Sequence, residues 1–351
     1  LLVPSKHDGA KPGVAAEVVD LNRSENGFPA PVASSADVGV GAWLQSSSLL
    51  IGGTSGNSVI FAGGINPSTG AGGASATRLS DLAAVADGGA GVTTAIKLLV
   101  ARVRPGLAAF SDGKVVVWGG QHEAGSGWKA TMGEVIDADG AASKMLKVEG
   151  DPGLLANNNL ATMGANVVTL RATENELVLL VSGGVPQPTP TSAIDAPSYV
   201  VVVTWGGVAT VKPVALSGES LPPLRTGLAG GALTLPGGRE VLIAGGLVAL
   251  TGGVGGCPAG KGECLIDAVV AIDTAADFAT TPVTLTARQI GSLAAPSFGV
   301  AMAPTPNGAL IAGGQSTIVD VTVEQADALD ASGQVVAEAF PTSDAKTICG
   351  N

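Results

Sequence analysis

The sequence predicts an all-β fold assembled from repeats of one short antiparallel unit, and three observations lead to this prediction. The 351 residues are 46% hydrophobic and 13% charged, with 52 Gly and 21 Pro, a composition too apolar for a disordered chain. No long run has the 3.6-residue apolar spacing of an amphipathic helix. A short apolar segment ending in Gly-Gly recurs five times, and such self-similarity indicates a repeat architecture.

The Gly-Gly segments mark the period of the repeat. Successive Gly pairs begin 56, 64, 62 and 68 residues apart, which is of the order of one propeller repeat. Each segment is a short apolar run bounded by Gly, which predicts a buried strand. The five predicted strands are 58–62, 114–118, 178–182, 241–244 and 309–312.

Three further strands are predicted around each Gly-Gly strand. An earlier strand leads into it through a tight turn whose Gly or Asn accepts positive φ at little cost. A loop follows it, then a third strand often closed by Asp, then a weaker fourth strand. Four antiparallel strands per repeat make one propeller blade. The turns are 111–113, 236–238 and 306–308, the third strands include 134–137, 269–273 and 328–330, and the fourth strands include 281–285 and 334–337.

The N-terminus fits the second half of a repeat. Residues 1–3, a loop and the apolar segment 16–20 match the end of a second strand followed by a third strand. Residues upstream of Leu1, or the C-terminal segment 341–351, would complete this first blade, because propellers commonly close by pairing strands from both chain ends. The sequence therefore predicts one six-bladed β-propeller domain over residues 1–351, with four antiparallel strands per blade.

This order of strands and turns resembles the kelch-repeat β-propellers. The resemblance covers nearly the whole chain and is most specific at the Gly-Gly strands and at two similar segments, 104–109 and 225–230. Kelch repeats usually carry a Tyr in the third strand and a Trp in the fourth, whereas this chain has one Tyr in total, Tyr199. The Ala- and Gly-rich composition is more similar to divergent, secreted bacterial kelch proteins than to eukaryotic ubiquitin-ligase adaptors.

The charge and the hydropathy of the chain argue against nucleic-acid binding and against a membrane-spanning helix. The net charge of −11 argues against nucleic-acid binding, because phosphate contacts need clustered Lys and Arg. Residues 241–260 carry no charge but are rich in Gly and contain Pro258. A membrane-spanning helix rarely has this composition, so we predict a strand followed by a loop and no membrane span.

The spacing of the cysteines indicates the cellular compartment in which the protein resides. Cys257 and Cys264 flank a short Gly-rich loop, which predicts a small disulfide ring and an extracytoplasmic location: the periplasm, the outer-membrane surface or the medium. Two unpaired neighbouring thiols are the alternative. Cys349 is left over, and it is free or paired outside this chain. The chain opens without a basic segment or initiator Met, which predicts a mature or trimmed form.

The residue inventory argues against known propeller chemistries. Kelch enzymes that resemble galactose oxidase hold copper with two Tyr and two His, which one Tyr cannot supply. A Ser-His-Asp site needs a His oriented by a carboxylate, and only His7 and His122 are present. Exposed loop histidines are the simpler interpretation, and a metal or proton-transfer role is the alternative. Arg104 and Arg225 are interpreted as structural, bonding carbonyls or Asp between blades, with a ligand-binding ring of arginines as the alternative. We predict no catalytic residue, no cofactor and no metal.

One face of the predicted propeller collects the irregular loops. The loop after the second strand and the link into the next blade share that face, and they include 65–75, 121–131, 185–197 and 247–266. The sequence thus predicts a non-catalytic, extracytoplasmic subunit that binds a protein or scaffolds a cell-surface assembly. A glycan-binding or glycan-modifying propeller is the alternative, although sugar sites usually need stacking aromatics and only 3% of residues are aromatic. The candidate binding residues are His122, Glu123, Trp128, Pro186, Pro188, Pro190, Lys261 and Glu263.

Overall fold

A computed structural model of the chain confirms the all-β class, with strands throughout and one short helix, α1 (Pro152–Ala156), in the part that is described. The described residues are 2–4, 15–25, 28–37, 47–51, 57–64, 72–82, 84, 92–120, 131–137, 139, 143–156, 160, 162–186, 198–217, 228–235, 237–249, 263–293, 296–297, 299–305, 308–312, 326–329 and 335–338.

The strands of the N-terminal half form three antiparallel sheets in chain order. We call them unit 1 (β1–β3), unit 2 (β4–β7) and unit 3 (β8–β11), and β12 and β13 follow unit 3. The strands are β1 (Leu2–Pro4), β2 (Ala15–Glu25), β3 (Phe28–Asp37), β4 (Ser47–Ile51), β5 (Ser58–Ala62), β6 (Gly73–Ser80), β7 (Val92–Arg102), β8 (Gly106–Ala109), β9 (Val115–Trp118), β10 (Gly133–Ile136), β11 (Ser143–Met145), β12 (Lys147–Gly150) and β13 (Thr162–Met163).

The C-terminal half repeats the pattern three more times. Unit 4 is β14, β15, β17 and β18, unit 5 is β19–β22, and unit 6 is β23–β26. The strands are β14 (Asn166–Ala172), β15 (Glu176–Ser182), β16 (Val185–Pro186), β17 (Tyr199–Thr204), β18 (Val208–Ser217), β19 (Leu228–Thr234), β20 (Glu240–Ala249), β21 (Glu263–Asp273), β22 (Val283–Ser292), β23 (Ala301–Thr305), β24 (Gly308–Ala312), β25 (Ala326–Leu329) and β26 (Val335–Glu338).

All five predicted Gly-Gly strands are confirmed, and each is the second strand of a four-stranded antiparallel unit. Unit 1 has three strands in the described residues, which pair in the order β1-β2-β3. The predicted turn at 111–113 is also confirmed, because the Gly113 amide donates to the Phe110 carbonyl. The C-terminal segment 341–351, a candidate to complete unit 1, lies outside the described residues.

The second strands are continuous apolar runs because both of their faces are buried. In β15, Leu177, Leu179 and Val181 point into a cluster shared with unit 3. The alternate residues Val178 and Leu180 point into a cluster shared with unit 5. A strand buried on both faces loses the polar alternation of a half-exposed strand. The core is therefore a series of apolar layers between neighbouring units, and each fully buried Leu or Val contributes about 1.5–3 kcal/mol.

Units 4 and 5 join into a nearly closed, barrel-like sheet. Their outer strands β18 and β22 pair in parallel, from Val214 opposite Val283 onward. At the other side the first strands β14 and β19 lie against each other, where the Thr234 hydroxyl donates to the Thr169 carbonyl at 2.8 Å. β12 pairs in parallel with the other half of β18. This pairing covers outer edges that would otherwise expose unpaired backbone groups.

The first strands of successive units lie side by side in chain order, β4 beside β8, β8 beside β14, β14 beside β19 and β19 beside β23. Two glycines permit this approach. A Cβ on Gly106 would lie 2.0 Å from Val167 Cγ2, and a Cβ on Gly231 would lie 2.8 Å from Val300 Cγ2. Small residues at these positions let neighbouring backbones approach closely.

Candidate functional site

We call the side of the units where the second strands end the loop face, and the opposite side the turn face. The Gly pairs lie on the loop face, where the chain passes from one unit to the next. In unit 2 the Gly64 amide donates to the Arg102 carbonyl, and in unit 5 the Gly246 amide donates to the Ser297 carbonyl, both at 2.8 Å. The equivalent contact in two units indicates that the Gly pair serves chain crossing.

The crossing leaves no room for a side chain. A Cβ on Gly63 would lie 2.6 Å from the Arg102 carbonyl oxygen, and a Cβ on Gly120 would lie 2.7 Å from Pro105 Cα. The link 102–105 is therefore held between the Gly pairs of units 2 and 3. Gly63, Gly64, Gly119 and Gly120 also have positive φ, which glycine adopts without the strain that a Cβ imposes.

A buried ion pair fastens this link to unit 3. Arg102 Nε donates to Glu134 Oε1 at 2.8 Å, and both side chains are fully buried. The second carboxylate oxygen of Glu134 accepts from the Leu99 amide at 2.8 Å. The remaining guanidinium nitrogens donate to the carbonyls of Gly119 and Thr131. Burial lowers the pKa of Arg102, and Glu134 opposes that shift. The network is internally satisfied, so its role is structural.

Arg102 thus makes the bonds to carbonyls and an acid that we expected of Arg104. Arg104 is partly buried with φ 46°, and burial lowers its pKa. The second of the two similar segments is described only from Leu228, and from there the registers of the two segments differ. Leu107 pairs with Val117, before the Gly pair of unit 3, whereas Leu228 pairs with Leu247, beyond the Gly pair of unit 5. A ring of equivalent arginines would require the same register.

Most predicted binding residues lie outside the described residues. Pro186 ends β16 and pairs with Thr162. Glu263 and Cys264 begin β21 and pair with Ala249 and Val248. The disulfide between Cys257 and Cys264 remains a prediction. The predicted residues outside the described ranges are His7, His122, Glu123, Trp128, Pro188, Pro190, Arg225, Cys257, Lys261 and Cys349.

Unit 5 projects beyond its Gly pair on the loop face. β5 and β9 end directly before theirs, at Ala62 and Trp118, whereas β20 continues to Ala249 and stays paired with β21. A bulge between Ala244 and Gly246 accommodates the Gly pair within the ladder. β19 joins the extension through Leu228 opposite Leu247. The result is a three-stranded projection, which we call the unit 5 extension.

The turn face carries an exposed aromatic residue that the sequence analysis did not identify as a candidate. Trp205 lies in the turn between β17 and β18 and is 49% exposed. Lys114 Nζ from unit 3 lies 3.4 Å from its ring centroid, and Lys114 is ion-paired with Asp112. The only sequence signal was an aromatic residue in a Gly-containing turn, Thr204 to Gly207.

A second cation lies over an aromatic ring at the same face, between units 4 and 5. The Arg171 guanidinium is 4.9 Å from the ring centroid of Phe278, a buried residue at the end of the apolar cluster between these units. Lys212 Nζ donates to the Phe278 carbonyl at 2.7 Å. These contacts close that end of the nearly closed sheet.

Comparison with known proteins adds no relationship. No protein-family model and no curated protein matches this chain. The resemblance to kelch repeats therefore rests on the residues of the chain itself. Within the described ranges, no three His, Cys, Asp or Glu side chains are grouped to hold a metal ion. No helix there has the length and apolar character needed to cross a membrane.

Proposed function

We propose that the chain is a six-bladed, kelch-like β-propeller whose first blade is completed by upstream or C-terminal residues. Units 2, 3 and 6 are separate four-stranded antiparallel sheets in chain order, and units 4 and 5 each contribute four antiparallel strands to one nine-stranded sheet. The first strands of units 2 to 6 lie side by side, as the inner strands of neighbouring blades do. Unit 1 supplies three strands of the first blade. A crystal structure with six units around one axis would support this proposal, and a different closure would contradict it.

We propose further that the protein is a non-catalytic, extracytoplasmic subunit that binds a protein partner or scaffolds a surface assembly. The unit 5 extension is the observation that supports this role best. Binding residues are concentrated on loops held by a rigid framework. Here the framework raises one paired hairpin above the level of the other Gly pairs. The proposed interface is the loop face, with Glu263 at the start of β21.

The framework below the loop face supports the same conclusion. Here Arg102 and Glu134 bond to each other and to backbone groups of units 2 and 3. A satisfied polar network of this kind rigidifies its surroundings. Rigid positioning lowers the ordering cost that a loop pays when it binds a partner.

The test replaces residues 250–262 with Asn-Gly. Ala249 and Glu263 are directly paired, so a two-residue turn can close this hairpin. Both the shortened variant and the control carry Cys264→Ser, and the control also carries Cys257→Ser but keeps the loop. Partners are identified by cross-linking on the cells that make the protein, and purified partners are titrated against both variants.

We expect the shortened variant to unfold at the same temperature as the control and to bind its partner at least about tenfold more weakly, equivalent to about 1.4 kcal/mol. Equal affinity of the two variants would place the interface elsewhere and contradict the proposal.

A further inference from the structure

The turn face holds one indole ring that is only partly used by the fold. Among the described residues, the exposed large apolar side chains are Leu50, Val92, Leu99 and Trp205. Leu50 lies in β4 of unit 2, and Val92 and Leu99 lie in β7 of the same unit. Trp205 is the aromatic member of this set and lies in unit 4.

One face of the Trp205 ring is occupied by a cation. Lys114 Nζ lies 3.4 Å from the ring centroid. Its side chain is only 16% exposed, whereas Trp205 is 49% exposed. The lysine therefore lies over one face of the ring, which we call the inner face, and about half of the Trp205 residue is open to solvent. The Trp205 amide donates to the Asn175 carbonyl at 2.9 Å. This bond holds the backbone of the turn that carries the ring.

Polar residues lie on the segments next to the turn that carries Trp205. Glu174 and Asn175, in the adjacent turn, are exposed. The exposed Lys144 from unit 3 has its Nζ 3.4 Å from where a Cβ on Gly207 would lie. A carboxylate, an amide and an ammonium group together offer both donors and acceptors. One apolar ring with a polar border differs from the contiguous apolar patch of several hundred Å² that marks a protein interface.

Charge narrows the ligand further. A cationic ligand would find a cation already on the ring, because the Lys114 ammonium occupies one face and is itself paired with Asp112. An anionic ligand would approach a chain with net charge −11, which repels it at long range. A neutral ligand ring with apolar faces and polar edges is opposed neither by the Lys114 cation nor by the net charge of the chain.

We propose that Trp205 is the stacking platform of a binding site for a neutral saccharide. The sugar ring lies on the outer face of the indole, and Glu174, Asn175 and Lys144 hydrogen-bond to its hydroxyl groups. The site is on the turn face, so it is independent of the proposed protein interface on the loop face. Failure of either proposal leaves the other unaffected.

The test follows the indole N–H resonance of Trp205 in the full ¹⁵N-labelled chain. The probes are maltohexaose, cellohexaose, mannohexaose and chitohexaose, together with a proline-rich peptide and tetramethylammonium. We expect a saturable shift with at least one oligosaccharide at millimolar concentration. Trp205→Ala should weaken that binding by roughly tenfold or more, measured by calorimetry. Trp205→Phe keeps a smaller ring and should retain part of it, and Leu99→Ala is the control at an unrelated exposed apolar residue.

Several results would overturn the proposal. These are no shift with any oligosaccharide, unchanged sugar affinity in Trp205→Ala, or binding of the peptide at Trp205 in place of a sugar. Lys114→Met tests the charge argument directly, because removal of the inner cation should let tetramethylammonium bind where the wild-type chain does not. Equal tetramethylammonium binding before and after this substitution would contradict selection for a neutral ligand.

Discussion

The buried Arg102–Glu134 pair offers the sharpest test of how the units are held together. Glu134→Gln keeps the size and one hydrogen-bond acceptor of the side chain but removes its charge. Arg102 then remains fully buried without a counter-charge. Breaking a buried pair on one side costs about 3–5 kcal/mol, because the remaining charge is uncompensated.

The expected change in melting temperature follows from the size of the chain. Unfolding entropy is about 2.1 cal/mol/K per residue, so for 351 residues each kcal/mol lowers the melting temperature by about 1.4 °C. Glu134→Gln should therefore lower it by about 4–7 °C in a calorimetric scan if the chain unfolds as one unit. A larger drop in an early transition would indicate that units 2 and 3 unfold first.

The chain offers a matched control in the pair Arg288–Glu240. Its Nη1–Oε1 distance is 2.7 Å, but the side chains are 54% and 29% exposed. Exposed pairs contribute about 0–1 kcal/mol, so Glu240→Gln should move the melting temperature by less than about 1.5 °C. The reasoning is refuted if Glu134→Gln and Glu240→Gln have equal, small effects. A double variant, Arg102→Met with Glu134→Leu, should recover part of the loss, since the charge is gone but the carbonyls of Gly119 and Thr131 lose their donor.

Three further predictions concern backbone packing, alkaline stability and redox state. Gly120→Ala should lower the free energy of unfolding by more than about 3 kcal/mol in chemical denaturation, because a Cβ there meets the link backbone. Gly237→Ala is also at positive φ but has open space, so it should lower the free energy of unfolding by only about 1 kcal/mol. Equal effects of the two substitutions would contradict the argument that the Gly pair serves chain crossing. Burial raises the pKa of Tyr199, and the hydrogen bond from the Trp118 indole partly offsets this, so the folded state keeps its proton where the unfolded chain loses it above about pH 10. The contribution of Tyr199 to the free energy of unfolding should be fully present below that pH and should be lost as the pH rises. The phenolate absorbance of this single Tyr should appear only when the protein unfolds. Phenolate absorbance in the folded protein would refute the burial argument. Non-reducing peptide mapping should find Cys257 joined to Cys264, a ring that contributes about 2 kcal/mol, and free thiols at both positions would remove the support for an extracytoplasmic location.

The second strands were predictable because their signal is local. A run such as 59–62 is apolar at every position and ends at a Gly pair, and both features arise from contacts within the immediate neighbourhood. The parallel pairing of β18 with β22 had no such signal. It joins residues about 70 positions apart, such as Val214 and Val283, and depends on how two units are placed against each other. Periodicity within one strand carries no information on that placement.

The candidate sites show the same difference between local and non-local signals. Glu134 interrupts the apolar strand β10, which was a visible anomaly, but its partner Arg102 lies 32 residues away and only the fold brings them together. Trp205 was visible as an aromatic residue in a turn. The cation that lies over its ring is Lys114, which belongs to another unit. Sequence patterns locate unusual residues, whereas their surroundings come from non-local packing.

The unusual composition follows from the way the units pack. Gly63 and Gly120 allow a link to lie directly on backbone, and Gly106 lets two first strands approach where a side chain would clash with Val167. Backbone contact at these places leaves no space for bulky side chains, in a chain that has 52 Gly and only 3% aromatic residues. A framework built this way tolerates little change at its glycines, so variation for binding is left to the loops and to exposed turn residues such as Trp205.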